Sequence, residues 1–443
     1  MNVRFMVPMR ADGGPRDRLW AWVRDYWTDR FPDWPIIEGH HNRGPFNRSA
    51  AINRAAEGDW DIGIIADADT VCFAGQLARA VEHVKASGQM TLPFDRWVVL
   101  NRHDSRRVME GQLPVDKPVT VRGEAHFSSL VAVPRAHWDA LGGMDDRFVG
   151  WGAEDDAFQA AYSALCGAIY RAEGDCHHLW HPPSPERNTN SPLYRANLAL
   201  LRRYGSARKS APRMRALLDE RDQVTYVVTT DGRRDCITET IPALEEHVSG
   251  LPVGARIICD DSGDDRYLHW LKRTFKGWAV HGNGVRQGYA PAMQAARSYA
   301  IRAERPWVFW CEDDYRFDRP VDLSALAHVL TGNEHLAQMA LRRNAVWPKE
   351  IEAGGVIERR PHEYEDHTDG HHRWIEHDRF WTANPHLTTR AYLLAHPWPD
   401  GTSSERVYGD TMTAAGYRSG YWGPKSDGPW ITHLGHTRVG HGY

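Results

Sequence analysis

The chain has 443 residues, more than one hydrophobic core comfortably serves, so two domains of about 200 residues are expected. Hydrophobic content of 42% and charged content of 25% mark an ordinary globular protein, and a net charge of −4 excludes a general electrostatic footprint for nucleic acid while leaving a local basic patch open. No apolar run approaches the ~18–20 residues of a membrane helix, the start MNVRFMVPMR lacks the apolar core of a secretory signal, and the six cysteines form no CxxC pair. A cytoplasmic protein with reduced thiols is the expectation.

In chain order, VRFMVPM (3–9) is an apolar run closed by the turn ADGG and reads as a first buried strand. PIIEGHH follows as a second strand ending at Glu38, then FNRSAAINRAAE as an Ala-rich helix. DIGIIADADT is an apolar strand ending in Asp67 and Asp69. GWGAEDDAFQAAYSALCG is an acid-bearing helix behind two glycines, and His178-Leu-Trp-His181 closes the half. Residues 195–215 carry Arg195, Arg202, Arg203, Arg208, Lys209, Arg213 and Arg215, a basic helix running into a linker at 205–222.

The same parts then recur in the same order. VTYVVTT (224–230) precedes Asp231-Gly232, and ARIICDDSGDD ends in Asp260 and Asp261. APAMQAARSYAIRAE is the helix, WVFWCEDDY the acidic strand with Glu312, Asp313 and Asp314, SSERVYGDTMTAAG the later helix with Glu405, and His433-Leu-Gly-His436 the closing pair. Five matched elements in one order imply a duplicated domain, 1–204 and 223–443 around the linker. Alternating strands and helices of this kind build an α/β fold with a mostly parallel sheet whose ligands sit at the carboxyl ends of the strands.

That placement turns the acids toward a cleft. Paired carboxylates at a strand end hold Mg²⁺ or Mn²⁺ through oxygen and leave coordination positions for a diphosphate. Imidazoles spaced by three join such a site readily, so Asp69, His178 and His181 form one expected metal set and Asp314, His433 and His436 the other. Arg10, Glu38 and Asp67 in the first half, with Asp231, Asp260, Asp261 and Asp313 in the second, are the expected donor contacts. Arg16, Arg48 and Arg233 are further cations able to meet a diphosphate. Asp155 and Glu405, at the start of the later helices, are placed to take a proton from an attacking hydroxyl. Trp151, Glu154 and Asp156 beside Asp155 are expected to grip the acceptor. Charge pairing with the helix macrodipole is the plainer account of the same acids. The segment 362–378, HEYEDHTDGHHRWIEHD, reads as a polar loop. HGNGVRQG fails the dinucleotide pattern and no P-loop is present, which argues against a nicotinamide enzyme or an NTPase.

Residues 141–158, LGGMDDRFVGWGAEDDAF, resemble the acceptor-site signature of galactosyltransferases and related inverting GT-A enzymes. By resemblance to the β-1,4-galactosyltransferases, Asp155 matches the catalytic base and Asp69 the metal-binding acid. In those enzymes a Met and a His three apart complete the metal site, and His178 and His181 stand at those positions. The second half resembles family-2-type GT-A domains through IICDDSGDD and CEDDY, and its end, GPWITHLGHTRVGHGY, resembles the tails of bacteriophage glycosyltransferases. The resemblance implies two tandem GT-A domains, nucleotide-sugar donors and Mn²⁺ or Mg²⁺. Reuse of one fold with both sets of acids intact favours a bifunctional transferase over one catalytic and one acceptor-binding domain, and the resemblance implies inversion, in the cytoplasm of an infected host cell. Its acceptor would be a hydroxymethylated base of phage DNA, or else a virion protein or glycan. A metal-dependent carbohydrate hydrolase and a non-enzymatic sugar-binding module are the competing classes.

Overall fold

The computed structural model describes residues 1–112, 120–122, 127–184, 187–282 and 284–435. The chain divides into two compact units, Met1–Asp219 and Glu220–Tyr443. Both are α/β, as the alternation of periods predicts.

In the first unit, strand Val3–Met9 is buried at every position but Arg4 and lies parallel to Ile36–His40 on one side and Ile62–Ala66 on the other. A strand covered on both faces needs no polar alternation, which is why VRFMVPM reads as a continuous apolar run. Leu130–Pro134 then runs antiparallel to Ile62–Ala66, and short strands Thr91–Leu92 and Tyr170–Arg171 complete six. Helix Pro15–Arg30 starts on a proline that has no N–H to leave unpaired, and it buries Leu19, Trp20, Val23, Tyr26 and Trp27 along one stripe. Helix Arg48–Ala55 is capped by Asn47, whose side chain accepts from Ala50 N at 2.9 Å. A second, four-stranded sheet holds Thr70–Cys72, Asp175–His178, Arg96–Val99 and Thr120–Arg122.

The stretch 205–222 differs from the expected linker. It comprises the end of helix Pro192–Ala207, helix Ala211–Leu218 and a 3-10 turn at Asp219–Asp222. Leu200, Tyr204 and Ala207, then Met214, Leu217 and Leu218, are buried at helical spacing, while Arg202, Arg208, Arg213 and Arg215 stay exposed. The arginines mask this apolar stripe, and the stripe is what folds the segment onto the first unit.

In the second unit, Val224–Thr230 is parallel to both Val253–Asp260 and Trp307–Glu312, and His386–Thr389 runs antiparallel to the latter. Nine strands make up this sheet, parallel at its core and mixed toward Glu365–Thr368. Its two faces are separate cores. Tyr226, Val228, Phe309 and Cys311 belong to one, whereas Val227, Val308 and Trp310 belong to the other. Successive side chains of a strand point to opposite faces, so one apolar run fills both. The segment 362–378 is a hairpin, not a loop: Glu365–Thr368 pairs with Arg373–His377, and Trp374 to His377 are buried. Among the described residues no helix is long and apolar enough to cross a membrane.

Candidate active site

Strand pairing assembles the first unit's site. Asp69 follows strand Ile62–Ala66, and the chain turns at once into Thr70–Cys72. Asp175–His178 pairs antiparallel with that short strand, His178 opposite Thr70, and Leu179 N donates to Asp69 O at 2.8 Å. That register sets His178 Nε2 3.7 Å and His181 Nε2 3.1 Å from the Asp69 oxygens, and one ligand atom from each of the three residues lies within 4.8 Å of the others. Burial pushes the Asp69 carboxyl up, but His178 and His181 outweigh it and hold it well below the usual range. His178 Nδ1 is buried with no hydrogen-bond partner. One carboxylate and two imidazoles, converging at this spacing, suit a transition metal such as Mn²⁺ better than Mg²⁺.

Asp155 lies in the first turn of helix Glu154–Leu165. The turn leading into it is left-handed at Gly150 (φ 77°), Gly152 (φ 94°) and Ala153 (φ 83°). The first two are conformations that glycine adopts freely, whereas Ala153 carries local strain. Arg48 ties the elements together. Its Nη1 is 2.6 Å from Asp155 Oδ1 and 3.8 Å from Glu154 Oε1, and its Nη2 is 2.7 Å from Asp67 Oδ1. Burial pushes the Asp155 carboxyl up to about 8, Arg48 pulls against this, and Glu154 and Asp67 add to the rise. A carboxylate tuned upward in this way takes a proton more readily near neutral pH.

The remaining residues of the first unit fall into two groups. Trp151 is exposed, stacks on Tyr194 with centroids 5.5 Å apart and lies under Arg187, while Asp156 is exposed beside it. Arg16 approaches the metal cluster, its Nη2 3.5 Å from His181 Nδ1. Arg10 instead donates to the carbonyls of His41 (2.7 Å) and Gly44 (2.9 Å), and Glu38 accepts from Trp20 Nε1 at 2.8 Å with His40 and Arg24 nearby. Both shape the edge loop after strand Ile36–His40. The acids ahead of the Gly150 turn also build structure. Asp145 and Arg147 form a buried pair at 2.7 Å, Tyr204 Oη donates to Asp145 Oδ2 at 2.7 Å, and Arg147 reaches Leu217 O at 3.1 Å. The basic helices therefore brace the loop that carries Asp155.

In the second unit the same register recurs. Tyr315 pairs antiparallel with His433, and Leu434 N donates to Asp314 O at 2.7 Å. His433 Nε2 lies 3.2 Å from Asp314 Oδ2, while His436 lies outside the described residues. A Cβ at Gly435 would press on the side-chain ends of Asp314 and Arg233, so this position packs closely against them. Asp314 Oδ1 and His433 Nδ1 are buried with no hydrogen-bond partner among the described residues. Arg233 sits on the acids themselves, paired with Asp313, Asp314 and, at 3.0 Å, Asp231, and Arg286 reaches Asp231 from the other side at 3.0 Å. Burial pushes the Asp313 carboxyl up to about 7, with Arg233 opposing. Burial also pushes Asp314 up, but His433 and Arg233 outweigh it and bring it down.

Glu405 accepts from Ala383 N at 3.2 Å and faces Glu312, whose carboxyl is raised by burial, by Asp314 and by Glu405 itself. Asp261 organises a turn. Both its oxygens receive backbone N–H groups, from Gln287 and Gly288 at 2.8 Å, so it builds the turn into helix Tyr289–Arg302. Asp260 caps its own turn through Ser262 N (2.9 Å) and Ser262 Oγ (3.1 Å). A second histidine cluster joins His328 of helix Leu323–Gly332 to Asp369 and His372 in the turn of the 365–377 hairpin. Arg48 and Arg233, indistinguishable in sequence from surface arginines, are the residues that the fold brings to the centre.

Among curated proteins, none matches this chain. Among solved structures, the chain is similar to the catalytic domain of Drosophila beta1,4galactosyltransferase 7 in complex with xylobiose. Identity is 18% and TM-score 0.24, over 38% of this chain and 64% of that one, so less than two thirds of the relative is spanned. A mutant of the same Drosophila enzyme with manganese, UDP-Gal and xylobiose matches at 17% identity and TM-score 0.28, over 41% and 71% of the two chains. S. aureus TarS 1–349 with UDP-GlcNAc matches at 14% identity and TM-score 0.35, over 50% and 60%. All three superpositions are loose. The local match is more specific: residues 117–183, which hold the Gly150–Asp156 turn, His178 and His181, match the family model of the N-terminal domain of galactosyltransferase.

Proposed function

We propose that the protein is a metal-dependent glycosyltransferase with one GT-A-type site in each unit, moving sugars from nucleotide-sugar donors to hydroxyl acceptors with inversion. The observation that carries this reading is the convergence of Asp69, His178 and His181, together with Arg48 bridging Asp155 to Asp67. Asp69, His178 and His181 would hold Mn²⁺ in the first unit, and Asp314 and His433 would hold it in the second. When bound, the ion supplies neutralisation of the charge that develops on the departing nucleoside diphosphate. Asp155 takes the proton of the acceptor hydroxyl as its oxygen bonds to the anomeric carbon and the bond to the diphosphate breaks. Arg48 holds Asp155 in place and keeps Asp67 neutralised until donor enters. Exposed Trp151 offers a flat apolar face on which a sugar or base stacks. Glu405 has the corresponding position in the second unit.

A polyanionic acceptor for the first unit, such as hydroxymethylated phage DNA, is favoured by the exposed arginines of helices Pro192–Ala207 and Ala211–Leu218. The test is nucleoside-diphosphate release from a panel of nucleotide sugars, with Mn²⁺ or EDTA and with or without hydroxymethylcytosine DNA. Metal-dependent release stimulated by the DNA is the expected result. Release indifferent to DNA moves the acceptor to protein or glycan. No release from any donor overturns the transferase reading and favours the hydrolase.

A further inference from the structure

The second unit contains a cavity of about 510 Å³ that adjoins Glu405 and is dominated by arginine. Cavities of this size enclose one or two sugar-sized groups. Thr382 and Asn384 line it, and the residue between them, Ala383, donates its N–H to Glu405. Asn384 also accepts from Tyr315 Oη at 3.0 Å, and Tyr315 follows Asp314 directly in the chain. The cavity thus lies next to Glu405 through Ala383 and next to the acidic strand end through Asn384 and Tyr315.

Its charge is unbalanced. Four arginines (Arg343, Arg359, Arg360, Arg379) line it against two glutamates, Glu350 and Glu363. Arg343 is matched by Glu350 in a bidentate pair at 2.9 and 3.1 Å. Glu363 is shared, 3.3 Å from Arg360 and 3.8 Å from Arg379, with exposed Asp378 also 3.9 Å from Arg379. Arg359 has no ion pair among the described residues. Guanidinium groups matched to planar or tetrahedral oxyanions bind them bidentately, and a partly enclosed wall strengthens the attraction.

We infer that the acceptor of the second unit is an anionic polyol or sugar whose phosphate or carboxylate is held by Arg359 and Arg379 while a neighbouring hydroxyl is presented to Glu405. This rests on the transferase reading of that unit, but binding can be measured without turnover. The experiment is ligand-observed NMR on the full chain with glycerol 1-phosphate against glycerol, and with glucuronate against glucose. It is repeated on Arg359→Ala/Arg379→Ala, with a thermal melt confirming that the variant folds. The expected result is saturation by the anionic member of at least one pair, weakened tenfold or more in the variant, and no saturation by the neutral partners. The pair that responds identifies phosphate or carboxylate as the source. Equal binding of charged and neutral ligands, no binding of either anion, or an unchanged affinity in the variant would each overturn the inference. Donor cleavage lost on Asp314→Ala is read separately, so failure of the transferase reading and failure of the anion site are distinguishable.

Discussion

The two units build the same junction, an acid at a strand end beside a histidine from a late antiparallel strand, yet they place their central arginine differently. In the first, Arg48 bridges Asp67 to the base Asp155 and leaves Asp69 to its two histidines. In the second, Arg233 sits directly on Asp313 and Asp314, and Glu405 is held by a backbone N–H instead. An arginine that grips the base tunes proton transfer, whereas one that grips the metal-side acids competes with a cation for them. On the proposed reading, the first site's ligands are free of arginine, whereas in the second a cation would compete with Arg233 for Asp314.

Five experiments break or sharpen that contrast. The largest effect is expected from Asp69→Ala, which should abolish Mn²⁺-dependent nucleoside-diphosphate release by the first unit, while Asp314→Ala spares it. If both variants silence the same activity, the units share one reaction. Asp155→Asn should come next, lowering kcat by about 10²–10⁴-fold with donor binding retained. Assaying Glu405→Gln with both acceptors shows whether the second base acts independently.

A smaller effect concerns pH. Asp155 must be ionised to accept a proton and its carboxyl is pushed up to about 8, so kcat/KM of the first unit should rise with pH and level off above that value. Arg48 opposes the upward shift, hence Arg48→Met should move the midpoint to higher pH. Each unit of movement costs roughly tenfold in the active fraction at neutral pH. A profile unmoved by the substitution would separate Arg48 from the base. The smallest effect on chemistry belongs to Tyr204→Phe. Losing the hydroxyl from buried Asp145 should cost about 1–3 kcal/mol of stability, seen in a denaturant melt, with kcat nearly unchanged.

Much of this molecule was legible as a pattern. The continuous apolar runs at 3–9 and 224–230 announced strands buried on both faces, and the acids that end DIGIIADADT and WVFWCEDDY lie at strand ends as expected. At 205–222 the arginines mask Met214, Leu217 and Leu218, which are buried at helical spacing, so the sequence reads as a linker where a helix forms. In the histidine-rich hairpin, buried Trp374 and Ile375 are flanked by charge, so the sequence reads as a loop.

The candidate site divides along the same line. Local order, acid type and histidine spacing are properties of short segments, and the sequence alone determined which residues could ligate or take a proton. It could not place them against partners a hundred residues away. The register of Asp175–His178 against Thr70–Cys72 brings His178 to Asp69, and the cap at Asn47 aims Arg48 at Asp155. The place of Asp261 in its turn depends on two amides donated from the far side of a loop. Such meetings are set by strand pairing and packing between segments remote in the chain, so only the tertiary structure decided them.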